Sequence, residues 1–252
     1  MQKIEIMDIP FDNVTMEEAM ELAFSHIESG KQALTVTPNA EILELCLKHK
    51  DVKRAVLSAE IILPDGEGAL WAAKKLCTPL KEKVAGVEFG MECARLAAEK
   101  GKSLFLLGGK DGVAKAAAYE LKRRFPTLRI AGTRNGYFDR TGKENADVIA
   151  EINESGADIL FVCLGAPAQE KWIYENRASI KTPGLIACLG GSLDIYSGTS
   201  KRAPQFFIKM RVEWLYRLLR EPTRIGRMMN LPKFMISVCK YKRNLKKTRN
   251  IK

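Results

Sequence analysis

Five carboxylates stand where a short apolar run gives way to a turn: Glu41, Asp65, Glu67, Glu170 and Asp194. A carboxylate so placed can take a proton from a hydroxyl as that hydroxyl attacks. Asp65 is the foremost, because "EIILP" runs straight into "DGEG" and leaves Asp65 on the turn itself. It also reads as a plain turn aspartate, a residue favoured there for local reasons. Histidine is a weaker candidate. His26 and His49 are the only two, and both fall in helical patterns away from the strand ends. No Ser/His or Cys/His pairing points to a covalent nucleophile.

Six turns share this character: "TPNAE" (37–41), "PDGEG" (64–68), "GGKDG" (108–112), "GTRNGYF" (132–138), "GAPAQE" (165–170) and "GGSLD" (190–194). Each alone could be an ordinary turn. All six at the ends of strands in one sheet mark a ligand site, because open α/β sheets bind ligands at the carboxyl ends of their strands. The candidate contacts are Thr37, Asn39, Gly108, Gly109, Tyr137, Gly165, Gln169, Gly190, Gly191 and Asp194. The stretch "LFLLGGKDGVAK" reads as strand, glycine turn and helix, and amides at a helix N-terminus suit a phosphate. It is not GxGxxG, and the next strand, "LRIAGTRNG", ends without the acid that holds a ribose hydroxyl, which disfavours a nicotinamide cofactor. There is no GxxxxGK[ST] and no DxD. A nucleotide held by backbone and basic side chains, with neither metal nor cofactor, fits these turns.

Basic side chains gather at the other end of the chain. In "RVEWLYRLLREPTRIGRMM" (211–229), Arg217, Arg220, Arg224 and Arg227 recur every three or four residues, the spacing of one helix side. Pro222 breaks the stretch into two helices. Arginine binds phosphate bidentately and keeps its charge.

The elements that must position these groups follow from pattern. Thr15 opens T-x-x-E with Glu18 before "MEEAMELAFSHI", a capping box. "ALTV", "IIL", "SLFLL", "LRIA", "ADILFVCL" and "GLIACL" read as strands, with helices between them at about 40–58, 67–76, 88–100, 112–125, 143–154 and 168–179. Short strands apolar on both faces, separated by helices, imply a mostly parallel, Rossmann-like α/β sheet covered on both sides.

Composition sets the surroundings. Of 41 Lys+Arg and 30 Asp+Glu, residues 201–252 hold 16 basic and two acidic side chains, leaving residues 1–200 with 25 and 28. A near-neutral body at 1–200 and a strongly basic appendage at 201–252 call for a polyanionic partner. A nucleic-acid partner is disfavoured, because no basic platform with stacking aromatics is visible. Six cysteines without a CxxC pair read as thiols in a reducing compartment. The N-terminus is too polar for a signal peptide, and no apolar run approaches the roughly 18 residues that span a bilayer. A cytoplasmic protein, peripheral on the inner face of the membrane, is expected. Trp214, Leu215, Phe234 and Met235, if exposed, would be a liability in free solution, so self-association or flexibility is expected to hide them.

"TPNAEIL", "LPDGEGALWAAK", "KVAGVEF", "LGAPAQEKWI", "GGSLDIYSG", "KRAP" and "EWLYRLLREPTRIGRM", in this order over about 4–236, resemble the WecG/TagA/CpsF family of bacterial glycosyltransferases. The resemblance implies inverting, metal-independent transfer of a sugar from a UDP-sugar to a polyprenyl-diphosphate-linked GlcNAc. In motif detail the chain is similar to the branch that moves N-acetylmannosamine from UDP-ManNAc to the 4-hydroxyl of that GlcNAc in teichoic-acid linkage synthesis. UDP-ManNAc-uronate and UDP-glucose remain alternative donors. The resemblance makes Asp65 the general base. It places Thr37 and Asn39 at the acceptor or sugar, and Gln169 and Asp194 around the nucleotide-sugar. It sets Arg217, Arg224 and Arg227 in the C-terminal appendage, which docks on an anionic membrane and completes the site. Two positions depart from the family pattern: Lys83 stands where Arg is usual, and Glu88 where Asp is usual.

Overall fold

The structure, a computed structural model, describes residues 2–200 and 230–249 together with positions 204, 207, 210 and 216. Arg217, Arg220, Arg224, Arg227, Trp214 and Leu215 lie outside the described residues.

The chain opens with a hairpin of β1 (Lys3–Ile6) and β2 (Ile9–Asp12), in register Ile6↔Ile9. Its two turn residues, Met7 and Asp8, have φ of 54° and 62°, the hand that a two-residue hairpin requires. Sequence reading missed this hairpin, because "IMDI" lacks the Asn-Gly or Asp-Gly signal. Ile6, Met7, Ile9 and Phe11 are buried instead of exposed, and this burial stabilises an otherwise unfavourable turn.

Then follow α1 (Met16–Glu28), β3 (Ala33–Val36), α2 (Ala40–Lys48), α3 (Lys50–Leu57), β4 (Ile61–Ile62), α4 (Gly66–Lys75), α5 (Gly86–Glu99) and β5 (Ser103–Gly108). The second half holds α6 (Val113–Arg124), β6 (Arg129–Arg134), α7 (Gly142–Glu154), β7 (Ile159–Cys163), α8 (Ala168–Asn176), β8 (Leu185–Cys188), α9 (Ser192–Tyr196) and α10 (Asn230–Arg249). The capping box is present: Thr15 Oγ1 accepts from Glu18 N–H, and a Glu18 carboxylate oxygen accepts from Thr15 N–H. The helical pattern at 40–58 is two helices, broken where His49 takes an extended conformation (φ −124°, ψ 105°). Both of its flanks are helical by periodicity, so sequence alone did not place the break.

The main sheet has six parallel strands in the order β4-β3-β8-β7-β5-β6. Successive β5 residues serve opposite faces. Phe105 and Leu107 pack with Leu43, Ile62 and Trp172, whereas Leu104 and Leu106 pack with Phe24, Phe89 and Leu121. The doubly apolar strand pattern has this cause: there is a core on each side. The chain leaves β5 toward β6 and leaves β7 in the other direction toward β8, which opens a crevice between the ends of β5 and β7.

Helix α10 does not project from the body. It packs across α2 and α4. Phe234 and Val238 are fully buried with Leu43 and Ala72 in one core. Burial of a side chain the size of phenylalanine stabilises this docking by about 2–3 kcal/mol. The expectation that self-association or flexibility hides Phe234 is therefore corrected: the chain's own α2–α4 surface covers it. Met235 and Ile236 do face outward, 42% and 56% exposed. Tyr241 Oη donates to Asp8 Oδ1 at 2.6 Å, and Lys53 Nζ lies 3.0 Å from Asp8 Oδ2. The Tyr241 hydroxyl beside it holds the Asp8 carboxyl below its usual range.

Candidate active site

All six turns singled out in sequence lie at the carboxyl edge of the main sheet. They form two neighbouring groups.

The first group surrounds the β5–β7 crevice and is mostly glycine backbone. Gly108 has φ 138°, and a Cβ there would stand 2.3 Å from the Cys163 carbonyl oxygen. Only glycine lets the two strand ends come this close. Gly109 N–H donates to Cys163 O, and Gly136 N–H donates to Gly109 O at 2.9 Å. A Cβ on Gly136 would meet Gly108 Cα at 3.1 Å. The turns after β5, β6 and β7 are thus joined through backbone at adjacent positions. Tyr137, next to Gly136, is 74% exposed. The turn is held from beneath by Phe138, whose ring meets Trp172 edge-on at 5.9 Å, while Trp172 Nε1 donates to Asn145 Oδ1 at 2.6 Å.

The second group joins the ends of β3, β4 and β8 and carries polar side chains. Thr37 is 6% exposed, and its Oγ1 donates to Cys188 O at 3.3 Å. Gly86, at the start of α5, makes room for it: a Cβ there would lie 2.8 Å from Thr37 Oγ1. Asn39 caps α2, its Oδ1 accepting from Glu41 N–H at 2.9 Å and Ile42 N–H at 3.1 Å. Asp65 is half-buried at the N-cap of α4. Its N–H donates to Pro38 O at 3.4 Å, and the next residue, Gly66, approaches Asn39 Cβ. Asp65 and Asn39 therefore stand side by side on adjacent turns. Val84 N–H donates to Pro64 O at 2.9 Å and brings Lys83 alongside, with its Nζ 3.8 Å from Glu67 Oε1. Lys83 thus balances a first-turn acid of α4.

Gln169 and Asp194 join the two groups. Gln169 is 2% exposed: its Oε1 accepts from Gly190 N–H at 2.9 Å, and its Nε2 donates to Glu170 Oε1 at 2.8 Å. Its side chain lies beneath the edge and ties the "GAPAQE" turn to "GGSLD". Gly165 has φ 75° and Gly190 φ 61°, and each turn is tight for that reason. Asp194, half-buried in the short α9, lies close enough to Cys163 to help hold that thiol protonated, with burial the larger cause. Burial alone pushes Glu170 up to about 7. Sequence reading ranked Glu170 among five acids without separating it from the others; its burial follows only from the packing of α8.

Glu88 lines a groove of about 590 Å³ between α5, α6 and α9, with Met91, Leu121, Arg124 and Ile195. Among the described residues, no three metal-ligating side chains cluster, and no helix is long and apolar enough to cross a membrane. Four cysteines, 46, 93, 163 and 188, are buried thiols, whereas Cys77 and Cys239 are exposed.

An Asp beside an Asn cap, and a glycine-backbone crevice on the same sheet edge, suit a proton acceptor and a phosphate-bearing ligand. Residues 4–248 match the family described as Glycosyl transferase WecG/TagA/CpsF family. The chain belongs to that family. It is a glycosyltransferase, and the family match covers both groups of turns and all but the last residue of α10. Curated relatives of this glycosyltransferase include proteins of Staphylococcus aureus strains MW2, NCTC 8325 / PS 47 and COL. Each is 34% identical over 249 residues, covering 98% of this chain and 96% of the relative. All three are named N-acetylglucosaminyldiphosphoundecaprenol N-acetyl-beta-D-mannosaminyltransferase.

Proposed function

We propose that this glycosyltransferase moves N-acetylmannosamine from UDP-ManNAc to the 4-hydroxyl of GlcNAc carried on undecaprenyl diphosphate, with inversion and without a metal. The observation that carries the reading is the near-full-length similarity to the staphylococcal relatives of that name.

The residues fit the chemistry as follows. Asp65 accepts the proton of the 4-hydroxyl as its oxygen attacks the anomeric carbon. The bond from that carbon to the UDP oxygen breaks, and UDP leaves with the electron pair. Attack from the side opposite UDP inverts the centre. Thr37 and Asn39 place the acceptor or sugar next to Asp65. The glycine turns at 108–109, 165 and 190–191, with Tyr137, Gln169 and Asp194, hold the nucleotide-sugar. Arg217, Arg224 and Arg227 neutralise the departing diphosphate, the task that a carboxylate-bound metal performs in enzymes with a DxD motif, which is missing here.

The acceptor is a membrane lipid, so the enzyme works as a peripheral protein on the cytoplasmic face. The basic stretch 201–252 docks on anionic lipid and completes the site formed by residues 1–200. The outward residues Met235 and Ile236, between the exposed basic side chains Lys233 and Lys240, support this orientation of α10. Self-association covers apolar surface when no membrane is present.

The test is UDP release from UDP-ManNAc with a GlcNAc-diphosphate-lipid analogue. Turnover supports the reading. Turnover only with UDP-glucose or UDP-ManNAc-uronate keeps the transferase and replaces the donor. No turnover with any of the three removes the reading.

A further inference from the structure

Glu170 lies in the first turn of α8 and is 1% exposed. Its Oε1 accepts from Gln169 Nε2 at 2.8 Å, while its Oε2 is buried with no hydrogen-bond partner. Leaving a carboxyl oxygen unmet in the interior is costly, on the order of 1–3 kcal/mol or more. Packing would be served as well by an apolar side chain. What an apolar side chain lacks is an acceptor for Gln169.

An amide can present either its oxygen or its nitrogen to a given neighbour. Gly190 N–H requires the oxygen, and it lies 2.9 Å from Gln169 Oε1. Turned over, Gln169 would set a donor against a donor. An acceptor at Glu170 selects the orientation that Gly190 needs. The thiols of Cys46 on α2 and Cys188 on β8 lie near Glu170, and both are held protonated by burial.

We propose that Glu170 is a positioning residue for the donor site. By accepting from Gln169 Nε2, it keeps Gln169 Oε1 on the Gly190 amide, and so sets the "GGSLD" turn that carries Asp194. Its bearing on donor binding rests on the function proposed above. Its effect on Gly190 does not.

The experiment compares full-length wild type, Glu170→Gln and Glu170→Met. Hydrogen exchange at Gly190 is measured alongside calorimetric titration with UDP. Glutamine can still accept from Gln169; methionine has similar bulk and cannot. Glu170→Gln is expected to retain wild-type Gly190 protection and UDP affinity. Glu170→Met is expected to exchange Gly190 at least about tenfold faster, with β5 and β7 as protected as before, and to bind UDP about tenfold more weakly. A purely structural role would lower protection across the sheet instead. Wild-type Gly190 exchange in Glu170→Met overturns the proposal, as does equal loss in both variants. If Glu170→Met does not fold, Gln169→Leu removes the same acceptor from Gly190, and unchanged Gly190 exchange there overturns it as well. Failure of the wild type to bind UDP counts against the proposed function, while Gly190 exchange still decides the role of Glu170.

Discussion

On the β5–β7 side of the sheet edge the candidate site is mostly glycine backbone; on the β3–β4 side it is mostly side chains. Gly108, Gly109 and Gly136 bring three turns together so closely that a methyl group would collide. Thr37, Asn39 and Asp65 occupy ordinary extended or capping conformations and bring functional groups instead. Each half should therefore fail differently. The backbone half tolerates no added atoms. The side-chain half tolerates small changes of shape but not of chemistry. Such a division suits a site that holds a phosphate-bearing donor on one side and handles an acceptor proton on the other.

The sharpest test changes chemistry without changing shape. Asp65→Asn should lower turnover about 10²–10⁴-fold, the range for loss of a general base, while UDP affinity stays within about threefold by calorimetry. Equal loss of turnover and of UDP affinity would erase the distinction between the halves. Next in size is the support beneath the side-chain half. Phe234 packs α10 on α2 and α4, the helices that begin just after Asn39 and Asp65. Phe234→Ala should cost about 3–5 kcal/mol by denaturant unfolding, and turnover should fall more than UDP affinity.

Gly108→Ala tests the backbone half. Its left-handed φ and the 2.3 Å approach to Cys163 O should cost about 2–4 kcal/mol, with UDP affinity lost before any effect on acceptor binding. The join between the halves should respond to pH. Glu170 binds its proton more tightly folded, at about 7 against an ordinary 4.5. Its contribution is therefore complete below about 4.5 and is lost as pH rises through about 7, a change on the order of 3 kcal/mol. Glu170→Gln should flatten that part of the urea-stability profile. The smallest effect belongs to Lys83→Met. Its partner Glu67 is partly exposed and 3.8 Å away, so stability should change by less than about 1 kcal/mol.

Much of the fold was legible in sequence because it is written in local periodicity. Strands apolar on both faces, and helices between them, can hardly form anything but a covered parallel sheet. The turns were legible for a related reason: a parallel sheet puts every strand's carboxyl end on one edge. The first hairpin was not legible, since Met7 and Asp8 carry no turn signal and their conformation is stabilised by distant burial. Nor was the docking of α10. Its basic composition suggests a surface helix, but Phe234 and Val238 are placed by the shape of α2 and α4.

Within the site, the order of residues along the chain determined that Asp65, Asn39, Gln169 and the glycines would reach the same edge. Only the tertiary structure decided what each does there. Gln169 and Glu170 are neighbours in a polar turn, yet packing buries both and aims one at Gly190. Periodicity records which face of an element meets the core. It does not record how deep a polar side chain lies, or which backbone amide it meets, because these depend on contacts between elements far apart in sequence.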